Sequence, residues 1–104
     1  MTFNELKKRV QMTLKTTESV FETECSYQNL IDAEINRRQQ PIFEQMAKLK
    51  KKNMKLSALL QQESADEQFY GNVDKLTEII EEECELHDKL GEVEYQVYKD
   101  LGLR

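Results

Sequence analysis

The chain is short of everything that interrupts a helix: its 104 residues hold one proline, three glycines and no tryptophan. With so few breakers and so many Glu, Lys, Leu and Gln residues, long helices are favoured. No apolar run approaches the ~18 residues of a membrane-spanning helix. The opening MTFNELKKRV lacks the apolar core of a signal peptide. These two absences lead to the expectation of an intracellular protein, in the cytoplasm with the nucleus also open. Histidine occurs once and cysteine twice, too few for a closed four-ligand zinc site. Nor is there a phosphate loop, a Gly-rich turn, or a Ser or Cys nucleophile with a base beside it, so no catalysis and no cofactor are expected.

What is present is charge in blocks. Residues 1–40 balance six basic against six acidic side chains, residues 41–63 carry +3, and residues 64–104 carry −8, for a net −5. A basic segment followed by an acidic one suggests that the two lie side by side, the charges selecting pairing and orientation more than adding stability. The acidic face argues against nucleic-acid binding. The lysine run Lys50-Lys51-Lys52, with Lys48 and Lys55, has no interleaved aromatics and an acidic helix available to neutralise it. Consecutive glutamates at Glu81-Glu82-Glu83 and Glu85 point in different directions on a helix, which reads as a solvated face and not as a calcium site.

Residues 41–69 dominate the pattern. Ile42, Met46, Leu49, Asn53, Leu56 and Leu60 recur in steps of four and three, the spacing of a coiled-coil seam. Asn53 is the one polar member, and a buried Asn there costs stability but can fix register and partner number. In the last third, Val73, Leu76, Ile79, Ile80, Leu86, Leu90, Val93, Val97 and Leu101 supply the apolar side.

Boundaries follow from caps and breakers. Thr2 with Glu5 forms a capping box that starts a first helix. Its apolar side is Phe3, Leu6, Val10, Leu14, Val20, Phe21, Tyr27, Leu30, Ile31 and Ile35, weakened by Thr13, Thr16 and Thr17. Pro41 either opens a second helix or kinks a continuous one; a break is the expectation. For the next boundary Ser64 with Glu67 competes with Gly71-Asn72. Gly71 is preferred, because it sets Lys48–Lys55 opposite His87–Glu94 in two helices of matching length. Gly91 weakens the last helix, and Gly102 fits its stop.

The expected fold is therefore all-α, one domain of residues 1–104 with helices at about 2–39, 41–69 and 73–101. The second and third form an antiparallel hairpin, and the first either packs on it as a three-helix bundle or extends away. The expected function is a non-enzymatic assembly or adaptor subunit working through coiled-coil contacts. Its interface would be Ile42, Met46, Leu49, Asn53, Leu56, Leu60, Leu76, Ile80 and Leu90, and self-association is the first expectation, with a hetero-complex as the other form. A second possibility is a small chaperone or inhibitor that masks a partner helix with the stripe Phe3, Leu6, Val10 and Leu14. A third is a metal- or redox-responsive bundle using Cys25, Cys84 and His87. The ending EVEYQVYKDLGLR resembles the point where the coiled coil of the two short outer-kinetochore rod subunits meets its globular head; the likeness covers only these thirteen residues and no function is carried over from it.

Overall fold

The described residues form three helices: α1 (Phe3–Lys15), α2 (Val20–Gln62) and α3 (Glu67–Asp100). The computed structural model describes the backbone of residues 1–62 and 67–104 and the side chains of residues 1–61 and 69–104. The fold is all-α, and two units partition it: residues 1–40 with 91–104, and residues 41–90.

The capping box holds. Glu5 N–H donates to Thr2 Oγ1 at 3.3 Å and Thr2 N–H to a Glu5 carboxylate oxygen at 3.4 Å. The helix it starts does not run to residue 39, however. It ends at Thr16, where the backbone turns extended and both the amide and the hydroxyl of Thr16 donate to the Thr13 carbonyl. α2 then opens on Ser19, whose Oγ accepts from the Glu22 amide at 3.2 Å. The physical reason is competition: Thr and Ser side chains offer the backbone partners that a continuing helix would not. Ser19-Val20-Phe21-Glu22 carries the same Ser-x-x-Glu start signal as Thr2 to Glu5.

Two further boundaries are corrected. α2 passes through Pro41 without a break. The flanking residues are helix formers and no turn residue stands by; Pro41 is exposed, so water can serve the Arg37 carbonyl it leaves unpaired. Gly71 and Asn72 lie inside α3 and do not form a turn. Of the competing start signal, Ser64 lies outside the described residues.

Residues 1–40 and 91–104 enclose a closed core. Val10, Ile31, Val97 and Leu101 are fully buried, joined by Leu6, Ile35, Tyr98 and Leu103, with Phe3, Leu14, Tyr27 and Leu30 packed against them. Three helical segments surround these side chains, so each apolar stripe is covered. Val20 and Phe21, expected on the same stripe, are exposed, because the break at Thr16–Ser19 resets the helical phase. Of the stripe Phe3, Leu6, Val10 and Leu14, Leu6 and Val10 are buried in this core and Phe3 and Leu14 are half-buried against it. Gly102 closes α3 at φ +79°, with Leu103 N–H donating to the Tyr98 carbonyl at 2.9 Å and Gly102 N–H to the Lys99 carbonyl at 3.0 Å. This Schellman cap turns Leu103 into the core.

Residues 41–90 are built otherwise. Here the α2 and α3 segments alone pack as an antiparallel hairpin. Its core holds Leu49, Ile79 and Leu86, still 6–9% exposed, with Ile42, Met46 and Leu56 packed against them.

A candidate docking face on the 41–90 hairpin

The residues at four-three spacing in 41–69 line the inner side of the hairpin, and on the facing helix Leu76 and Leu90 do so while Ile80 does not. Ile42, Met46, Leu49, Asn53, Leu56 and Leu60 are all buried or half-buried. On α3 the inward run is Leu76, Ile79, Glu83, Leu86 and Leu90, again in steps of three and four. Ile80 is not part of it. It is 47% exposed, because a helix that turns Leu76, Ile79 and Glu83 inward carries the residue after Ile79 off the seam. Ile79 and Leu86, both on the expected apolar side of this helix, and Glu83, which was not, hold the seam instead; the unbroken three-four step from Leu76 to Val97 was the signal for Glu83.

Asn53 and Glu83 form the polar layer of this seam. The Asn53 Nδ2 donates to Glu83 Oε1 at 3.1 Å, and Asn53 Oδ1 accepts from Ser57 Oγ at 3.1 Å. Asn53 is thus satisfied within the chain, by a residue of the opposite helix and one of its own.

The pairing register also differs from expectation. Lys48 and Lys52 share a cleft of about 310 Å³ with Glu82, Glu85 and Lys89. Lys52 and Lys55 share another, of about 420 Å³, with Lys75, Glu78 and Glu82. The lysines therefore stand across from Glu78–Lys89 and not from His87–Glu94. The reason is the position of the hairpin's end: α3 begins at Glu67, short of Gly71, and every pairing shifts along it. Among the described residues, no ion pair closes between these lysines and glutamates, consistent with charges held apart in solvent.

The hairpin has two broad faces. One is this charged face. The other is lined by Met46, Ala47 and Met54 from α2 beside Lys50, Asn53, Glu83 and His87, around a groove of about 460 Å³. Ile80 lies two turns before His87 and Phe43 two turns before Lys50, so both belong to the same side. Met54 is 64% exposed. The second face thus gathers exposed apolar side chains with little charge.

The remaining candidates do not converge. Cys25 and Cys84 are both free and exposed, and they fall in different units. Among the described residues, no three His, Cys, Asp or Glu side chains gather as metal ligands, and no helix is long and apolar enough to cross a membrane.

The perturbed carboxylates lie elsewhere, in the three-segment core. Glu34 accepts from Arg37 Nε at 3.1 Å and Nη2 at 2.6 Å, and from Arg38 Nε at 2.8 Å. The Arg37 hydrogen bonds, with those of Arg38, outweigh its burial and hold it below the usual glutamate range. Arg38 also reaches Asp100 at 3.2 Å and stacks over the Phe3 ring at 4.6 Å. Asp100 is likewise lowered, first by the Gln96 amide and then by Arg38. Arg38 thereby joins α2 to α1 and α3, and Glu34 and Arg37 line a small cleft of about 160 Å³ with Phe3, Leu6 and Leu30. Searches against family models, curated proteins and solved structures gave no match to this chain.

Proposed function

We propose that the chain is a non-enzymatic assembly subunit whose 41–90 hairpin completes its core with helices supplied from outside, through coiled-coil contacts. The observation that carries this reading is the contrast between the two units. Residues 1–40 and 91–104 bury Val10, Ile31, Val97 and Leu101 completely, whereas the hairpin buries three of its described residues and none of them fully. A pair of helices cannot cover its own stripes as three do, and amphipathic helices take most of their stability from such packing.

Amide hydrogen exchange on the dilute full chain tests it. The amides of Leu49, Leu56, Ile79 and Leu86 should exchange well ahead of those of Val10, Ile31 and Val97 when the chain is alone, and slow when the hairpin is covered. A monomeric chain whose hairpin is as protected as its three-segment core would overturn the reading.

A further inference from the structure

We propose that the face bearing Met54 and Ile80 docks on the same face of a second copy of this chain, about a two-fold axis parallel to the helices, so that each basic α2 segment lies over the acidic α3 segment of the other copy. This deepens the assembly reading and rests on it. The choice of face follows from desolvation. The opposite face presents lysines and glutamates along both helices, and burying them costs more than their pairing returns. The Met54 face carries Lys50, His87 and a Glu83 already bonded to Asn53, while Met54 and Ile80 are 64% and 47% exposed.

The choice of occupant and of axis follows from charge. Residues 41–62 hold five lysines and one glutamate, while residues 67–90 hold eight carboxylates and two lysines. The hairpin is thus a basic helix beside an acidic one. Two such hairpins can meet face to face in two symmetric ways. An axis across the helices stacks basic on basic and acidic on acidic. An axis along the helices stacks basic on acidic twice; neighbouring helices run antiparallel in both arrangements, so charge alone decides between them. A second copy therefore supplies the complementary charge pattern without any further partner. Height along the hairpin is kept by this axis, and Asn53 and Glu83 share a height. Met54 of one copy then stands near Ile80 of the other, and Lys50 between Glu83 and His87.

Sedimentation equilibrium of the full chain tests the proposal, in a concentration and salt series. The expected result is a dimer that weakens as salt rises, and that Met54→Glu and Ile80→Glu each weaken by at least about tenfold, because each buries a carboxylate without a partner. Both positions are exposed in the chain itself, so the variants fold; Leu59→Gln, an exposed apolar site two turns beyond Lys52, should leave the dimer intact. Zero-length cross-linking of mixed light and heavy isotope-labelled copies should join α2 lysines to α3 carboxylates of the other copy. A dimer indifferent to Met54→Glu and Ile80→Glu, or inter-copy links confined to the segment 41–62 on both sides, overturns the proposal and leaves the assembly reading standing. A chain that stays monomeric overturns it as well; fast hairpin exchange then keeps the assembly reading, and slow exchange removes both.

Discussion

Asn53 and Glu83 are bonded to each other across the hairpin, at 3.1 Å, in the middle of a seam otherwise made of Leu, Ile and Met. The pair is matched only in this register of α2 against α3: a shift of either helix by one turn would set a carboxylate or an amide against Leu49 or Leu86. Such a polar pair is worth more as a register mark than as a source of stability.

The cost of breaking it should therefore be asymmetric. Asn53→Leu alone leaves the half-buried Glu83 carboxylate facing a leucine, so little stability is gained. The double replacement Asn53→Leu with Glu83→Leu should be more stable than either single variant by roughly 1 to 2 kcal/mol, since removing both partners avoids an unsatisfied group. Urea unfolding of the four proteins measures this. If Asn53→Leu alone matches the double variant, the two residues are not coupled.

The half of this pair on α2 was legible in the sequence and the half on α3 was not. Asn53 stands alone among apolar residues at four-three spacing. Glu83 is hidden in a run of glutamates, and only the phase set by Leu76, Ile79, Leu86 and Leu90 distinguishes it from Glu81, Glu82 and Glu85. The break at Thr16–Ser19 was written in Ser19 and Glu22 and competed with the absence of any Gly or Pro. Pro41 could not be placed from local sequence, because a proline opens helices and is carried inside them with the same neighbours. Leu103 joins the core through the positive φ of Gly102, a long-range packing outcome that helix periodicity does not report. The exposed position of Ile80 depends on the same helical phase, which two adjacent isoleucines, Ile79 and Ile80, leave open in the sequence.

Gly91 and Pro41 are the two intrinsic weak points of the long helices, and each can be relieved. A Cβ at Gly91 would meet nothing within 4 Å, so Gly91→Ala should stabilise the chain by about 1 kcal/mol. Pro41→Ala restores a backbone hydrogen bond to the Arg37 carbonyl and should stabilise by up to about 3 kcal/mol, less whatever the proline removes from the disorder of the unfolded chain. Thermal unfolding of the single and double variants checks both. A loss of stability in Gly91→Ala would mean that something approaches that position which the single chain does not contain.

Gly102 should behave in the opposite way to Gly91, although its Cβ would also find open space. Its φ of +79° disfavours any side chain, so Gly102→Ala should cost on the order of 1 kcal/mol. The cap exists to turn Leu103 inward, where it is 5% exposed. Leu103→Ala should cost about 2 to 4 kcal/mol through the cavity it leaves. Denaturant midpoints give both values, and a Leu103→Ala variant of unchanged stability would separate the C-terminal residues from the core.

The pH dependence of the three-segment core should run through Glu34. Arg37 and Arg38 hold its carboxyl below its ordinary value of 4.5, so the folded state binds a proton there less readily than the unfolded chain. The contribution is complete above that value and is lost as the pH falls below it toward the lowered one. Glu34→Gln keeps the shape and removes the charge, and at neutral pH it should cost roughly 1.5 to 3 kcal/mol, the usual worth of hydrogen bonds to a charged group. As the pH falls below 4.5 toward the lowered value the two proteins should converge, because wild-type Glu34 is then being protonated while the variant has nothing to titrate at this position. Asp100 titrates in both proteins, so the difference between their melting temperatures across the acid range isolates Glu34. A difference that stays constant down through that range would show that the arginines hold the helices by packing, Arg38 over Phe3 above all, and not by the carboxylate between them.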